Sequence, residues 1–143
     1  MPRPPLLPVM TIDELHTFFE QGFGEERPYR IEALEPGSLR MVIPANKVTL
    51  RPGGTVSGPT LMTLADASSY ALILAHIGPV ALAVTSSLHI SFLHKPPLGG
   101  VVAHASFLKL GRTLAVVDVR LTGHDAHDDV TVAQATVTYA IPR

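Results

Sequence analysis

The sequence predicts an α+β fold in which one sheet wraps a single long central helix. Three observations carry that expectation. The segment "SGPTLMTLADASSYALILAH" (Ser57 to His76) is apolar over most of its length and is bounded by Gly58-Pro59 and Gly78-Pro79. A short helix signal and a hairpin signal precede it. Four long β signals follow it and occupy the rest of the chain.

The first element is announced by "TIDELHTFFEQGFG". Thr11 stands three residues before Glu14, the spacing of a capping box, and Ile12, Leu15, Phe18 and Phe19 follow helical spacing. Gly22 and Gly24 end that helix. In "YRIEALEPGSLRMVIP" two short apolar runs flank Glu35-Pro36-Gly37-Ser38, which reads as a β-hairpin. After the turn-rich "RPGGTVSGP", Ser57 or Gly58 can cap the central helix, with Pro59 in its first turn, where a missing N–H is harmless. Pro59 to Ile77 would make a helix roughly 28 Å long, apolar over most of its circumference and so largely buried. His76, in its last turn, is expected to complement the negative end of the helix dipole.

The β signals come next. In "ALAVTSSLHISFLH" the residues Val84, Leu88, Ile90 and Phe92 alternate with Thr85, Ser87, His89 and Ser91. "VVAHASFLKL" and "RTLAVVDVRL" flank a tight turn at Gly111-Arg112, and "DVTVAQATVTYAIP" closes the chain. No repeat or low-complexity linker divides the sequence, so residues 1–143 are expected to form one domain with a loose proline-rich arm over residues 1–10.

Composition bounds the function. The chain has 143 residues, 46% hydrophobic and 16% charged, with a formal net charge of −1. That suits a globular core and, with the basic residues scattered, no broad nucleic-acid surface. The absence of cysteine excludes disulfides, thiolate zinc sites and a cysteine nucleophile. No apolar run approaches the roughly 18 residues of a membrane span, and the start lacks the core of a signal peptide. A cytoplasmic protein is expected, without partners in nucleic acid or membrane.

The residue that calls for explanation is Asp66. It is the only Asp, Glu, Lys or Arg between Arg51 and Lys95. An ionised carboxylate is costly to bury without a partner, so it must be hydrogen-bonded, partly wet or kept for chemistry. Ser68, Ser69 or a backbone amide could satisfy it as a purely structural acid.

The order of elements, together with "GTVSGPTLMTLADASSYA" and "TSSLHISFLHKPPLGGVVAHASFLKLGRTLAVVDVRL", resembles the hotdog-fold acyl-CoA thioesterases of the PaaI-like branch, over roughly residues 29 to 142. The resemblance implies an antiparallel sheet around the central helix, hydrolysis of an acyl-CoA, no cofactor, and a homodimer or a dimer of dimers with the active site at a dimer interface. In that family a His-Gly-Gly opens the helix and an acid follows the first glycine by eight residues. Gly58 and Asp66 have that spacing. Ser57 stands where the family has histidine, Pro59 where it has the second glycine, and Arg51 where it has Asn or Gln.

Thioester hydrolysis needs a donor aimed at the oxygen that becomes negative, and a base or nucleophile near the carbonyl carbon. The Gly58 amide at the helix N-terminus suits the first role, and Asp66 suits the second, as general base or as nucleophile. Eight helical residues span about 12 Å, so both can act on one carbonyl only if they come from different subunits related by a twofold axis. Ser57 and Ser69 are candidate substrate contacts. Lys95 and Arg112 are candidate partners for the CoA phosphates, with His94 a weaker one; for each, a solvated surface charge is the plain alternative.

The tract "GHDAHDD" (Gly123 to Asp129) looks metal-like, but it sits where polar turn residues belong, and His89 and His104 lie on distant strands, so no metal is expected. A hotdog protein that binds acyl-CoA or fatty acid without turnover is the alternative function. A hydratase would need a histidine beside Asp66, and the central segment offers none. The apolar wall "ASSYALILAHIGPVALAV" favours aromatic or medium-chain acyl groups.

Overall fold

The computed structural model describes residues 6–96, 98–124 and 130–143. Its elements are α1 (Ile12–Phe23), β1 (Arg30–Glu35), β2 (Ser38–Ile43), a 3-10 turn (Ala45–Lys47), β3 (Leu50–Arg51), β4 (Thr55–Val56), α2 (Gly58–Ile77), β5 (Val84–Phe92), β6 (Val101–Leu110), β7 (Leu114–Gly123) and β8 (Thr131–Ala140). Six strands form one antiparallel sheet in the order β1-β2-β6-β7-β8-β5, and β3 pairs with β4 in a separate small ribbon. The fold is the expected one, a sheet wrapped round a central helix with a short helix before it.

Local chemistry places each piece. The Thr11 hydroxyl accepts from the Glu14 amide at 3.1 Å, and the Glu14 carboxylate accepts from the Thr11 amide at 3.0 Å. This reciprocal cap starts α1, which buries Leu15 and Phe19 one turn apart. At the hairpin Glu35 faces Ser38 across a two-residue loop, with Gly37 at φ +79, a conformation that side chains disfavour. The loop is pinned from below, because the Gly37 amide donates to Nε2 of His76 at 3.0 Å. His76 Nδ1 lies 2.9 Å from the Leu72 carbonyl. His76 thus contacts a carbonyl of its own helix and also ties the helix to the hairpin.

Ser57 caps α2, and Gly78 ends it at φ +96 with its amide on the Leu74 carbonyl. Contrary to the expectation that no apolar run is long enough, this helix could cross a membrane by length and composition; here it is the core. Every residue from Ser68 to Ala75 is buried. Small residues on the facing strands, Ala103, Ala105, Ala133 and Ala135, are fully or almost fully buried and let the helix approach the sheet. Truncating a buried helix leucine such as Leu72 to alanine would cost about 2–5 kcal/mol. The first half of α2 is different. Pro59, Met62, Thr63, Asp66 and Ala67 are exposed or half-buried, and their spacing places them on one stripe of the helix.

Two expectations are corrected. β5 is an edge strand whose apolar residues are only partly covered: Phe92, on the face of Leu88 and Ile90, is 54% exposed, and Val84, across a bulge from them, is 53% exposed. Its register against β8 shifts between Thr85 and Ser87: Thr85 faces Tyr139, Ser87 faces Thr138, and Ser86 is the extra residue of a bulge. A bulge swaps the faces on either side of it, so Thr85 shares the inner face with Leu88 and Ile90. The arm is also tied down at its end, since the Val9 and Met10 amides both donate to the Ala75 carbonyl, at 2.7 and 3.2 Å.

Candidate active site

The N-terminus of α2 offers one free donor. Pro59 has no N–H, and the Thr60 amide is taken by the Ser57 hydroxyl at 3.2 Å. The Leu61 amide reaches the Ser57 carbonyl at 3.4 Å. Among the described residues nothing accepts from the Gly58 amide. It opens into a cavity of about 650 Å³ lined also by Arg51, Phe92, His94 and Lys95. The Phe92 ring closes against the backbone, and a Cβ on Gly58 would meet it at 3.4 Å. Glycine is what allows a ligand atom to share that space.

Asp66 lies two turns along the same helix and lines a different cavity, of about 580 Å³, with Tyr29, Tyr70, Thr85 and Tyr139. Two hydroxyls hold it. Thr85 donates to Asp66 Oδ1 at 2.7 Å and Tyr139 donates to the same oxygen at 2.8 Å. Among the described residues no hydrogen bond reaches Oδ2, and no cation pairs with the carboxylate. Burial, and then the charge of Asp66, hold the Tyr139 phenol well above its ordinary range. It therefore stays protonated and remains a donor.

The predicted site residues divide accordingly. Gly58 and Lys95 share one cavity, and Asp66 stands apart from them within the chain. Ser57 is the helix cap, 9% exposed, its hydroxyl also 2.7 Å from that of Thr60. Ser69 is fully buried and donates to the Ala65 carbonyl at 2.8 Å, as Ser68 does at 3.1 Å. Ser69 therefore reaches neither cavity, and neither serine is the partner of Asp66. Arg112 is exposed in the β6–β7 turn, beside the ends of β5 and β8 where Val84 meets Ala140. Lys95 follows the opposite end of β5, about 26 Å away along a nine-residue strand. One protomer cannot bring both cations to the same phosphate. His94 lies in the Gly58 cavity with its Nδ1 3.1 Å from the Thr131 carbonyl. Of the acidic histidine tract, residues 125–129 lie outside the described residues, and His124 is 3.4 Å from the Glu32 carboxylate.

Sequence reasoning missed three contributors. Arg51 lines the Gly58 cavity as a second cation beside Lys95. Tyr139 occupies an inward position of β8, and a buried tyrosine hydroxyl must find a partner, a signal that could have pointed to it. Thr85 gave no such signal, because the bulge that turns it inward leaves the polar–apolar alternation looking regular.

Comparison with known proteins shows what the chain is similar to. The family model described as the thioesterase superfamily matches residues 53–130. A protein of Silicibacter sp. TM1040 bearing a provisional thioesterase name is 41% identical over 97% of this chain and 96% of its own, with a TM-score of 0.87. The phenylacetic acid degradation protein PaaI of Thermus thermophilus shares the fold at a TM-score of 0.67 and 22% identity, over 87% of this chain and 98% of its own. A provisionally named esterase of Thermoplasma acidophilum is 24% identical over 102 residues, 71% of this chain and 76% of that protein.

Proposed function

Because the chain belongs to the thioesterase superfamily and has a PaaI-like hotdog fold, we propose that it hydrolyses an aromatic or medium-chain acyl-CoA to the free acid and CoA, at a site shared by two subunits of a dimer. The carrying observation is the division of labour along α2. The free amide of Gly58 and the free oxygen of Asp66 line separate cavities of one chain, about 12 Å apart along the helix. An antiparallel pairing of two α2 helices across a twofold axis brings each amide to the other chain's carboxylate. The exposed stripe Pro59-Met62-Thr63-Asp66-Ala67 and the open edge of β5 are surfaces that suit such a partner.

In this arrangement the thioester carbonyl oxygen accepts from the partner subunit's Gly58 amide at the positive end of a helix. Asp66 Oδ2 takes a proton from the attacking water, or attacks the carbonyl carbon itself to form a mixed anhydride, which water hydrolyses to the free acid and Asp66 after CoA has left. The carbon–sulfur bond then breaks and CoA leaves as the thiolate, which is protonated on release. Lys95 and Arg51 supply positive charge near the Gly58 end for the nucleotide phosphates. The tyrosine-lined cavity beside Asp66 suits an aromatic acyl group. We place the protein in the cytoplasm, where acyl-CoA is met, as one domain.

The test is release of free thiol from a panel of acyl-CoA thioesters, benzoyl, phenylacetyl and C6 to C12 acyl among them. Turnover of at least one supports the hydrolase. Saturable binding across the panel without turnover would overturn it in favour of a non-catalytic acyl-CoA binder.

A further inference from the structure

We propose that Tyr139 is a positioning residue for Asp66: its phenol holds one carboxylate oxygen and so turns the other toward the substrate. This rests on the reading of Asp66 as the reacting carboxylate and adds a residue to it.

The geometry is specific. Tyr139 Oη is 2.8 Å from Asp66 Oδ1 and 3.3 Å from the Asp66 carbonyl oxygen. With Thr85 donating to the same Oδ1, both donors fall on one side of the carboxylate and Oδ2 is left to work. A carboxylate on a free side chain rotates about its last torsion, and two fixed donors on one oxygen remove that freedom. The donor is itself immobile. Tyr139 is 3% exposed, and its ring stacks on Tyr70 with centroids 5.7 Å apart and planes at 16°. Tyr70 is anchored in turn by its hydroxyl to the Ala81 carbonyl at 3.0 Å.

A purely structural aromatic at this position would be served by phenylalanine, because a buried hydroxyl costs stability unless it is bonded. Here that bond goes to the one acid of the helix. The groups facing Asp66 are Thr85 from β5, Tyr139 from β8, Tyr70 from α2 and Tyr29 from the segment before β1. Tyr29 is raised by burial, lowered by Arg27, and raised by Asp66, so it too stays neutral. Loss of a donor therefore acts directly on the carboxylate.

The test is Tyr139→Phe, which keeps the stack and removes the oxygen. We expect kcat to fall roughly tenfold, the effect of one hydrogen bond to a charged group, with KM changed less than about twofold. Removing a donor disfavours the ionised carboxylate, so the acid limb of the kcat–pH profile moves to higher pH, as does the Asp66 13Cγ titration midpoint by NMR. A tyrosine that only packed in the core, with no hold on the ionised carboxylate, would move neither. An unmoved midpoint in folded Tyr139→Phe overturns the proposal whether or not the protein is a thioesterase. A raised midpoint in a protein that hydrolyses no thioester upholds the clamp and overturns the hydrolase reading instead. Should Tyr139→Phe fail to fold, the Tyr139 Hη resonance carries the test: it moves upfield in Asp66→Asn, and an unchanged resonance overturns the proposal.

Discussion

Tyr139 and Asp66 are 73 residues apart in sequence, and their side chains meet at 2.8 Å. One comes from the last strand of the sheet and the other from the helix the sheet wraps, so the contact exists only in the finished fold. It also fixes how the acid should respond to substitution. Asp66→Asn keeps an oxygen for Thr85 and Tyr139 to donate to and removes the base. We expect kcat to fall at least about 100-fold with the unfolding transition little changed. Full activity in this variant would leave Asp66 a structural acid.

Gly58→Ala tests the other half of the site. Its backbone angle does not demand glycine, and the new Cβ would touch the Phe92 ring at 3.4 Å. The variant should fold normally but hold the thioester carbonyl off the amide, lowering kcat/KM roughly 10- to 100-fold. Wild-type kinetics would remove the Gly58 amide from the mechanism.

Met62 is 42% exposed on the unpartnered stripe of α2. A charge there should split the dimer. Sedimentation of Met62→Asp is expected to show a monomer, with hydrolysis lost in parallel and helix content retained by circular dichroism. A wild type that is monomeric at working concentration and still turns over would sink the shared site.

Lys95 lines the Gly58 cavity, whereas Arg112 sits at the other end of its own sheet. Lys95→Ala should raise KM several-fold with kcat nearly unchanged, because phosphate contacts are equal in ground and transition states. Arg112→Ala can do the same only from the partner subunit. If both leave KM alone, the two are solvated surface charges.

His16 predicts an acid limit to stability. Its Nε2 accepts from the Ile31 amide at 3.0 Å, which ties α1 to β1 and requires a neutral ring. Burial first, and Arg27 second, hold its pKa below the ordinary 6.5. The folded state thus resists a proton that the unfolded chain accepts. The contribution is complete above pH 6.5 and is lost as the pH falls from there through the lowered folded value. Thermal unfolding should show a falling Tm across that window, with a shallower slope in His16→Gln. Equal slopes would assign the acid sensitivity elsewhere.

Much of this was legible in the sequence because it is local. The capping box at Thr11 and Glu14, the Pro36-Gly37 turn and the punctuation of α2 at Ser57 and Gly78 are decided by neighbours within four residues. The spacing of Gly58 and Asp66 was also legible, and it is the resemblance to the thioesterase family that suggests the donor and acid roles proposed for them. What was hidden depends on contacts across the fold. Ser69 looked available to Asp66 or to substrate, but a serine hydroxyl within a helix can bond the carbonyl of its own preceding turn, and Ala65 took it. The bulge at Ser86 leaves no mark in composition, so Thr85 read as an outward residue. The β3–β4 ribbon is two residues a side, shorter than any periodicity can reveal.

The chain has no tryptophan and three tyrosines, and all three, Tyr29, Tyr70 and Tyr139, line the cavity beside Asp66. Its near-ultraviolet absorption and its intrinsic emission above those of phenylalanine therefore originate in that one place. The protein carries its own optical probe, with one fluorophore bonded to the carboxylate and stacked on a second. An acyl group entering the cavity has to perturb that signal, whereas events at distant surfaces leave it largely untouched. Binding at this end of the helix can thus be watched in the native protein, with no label and no engineered chromophore.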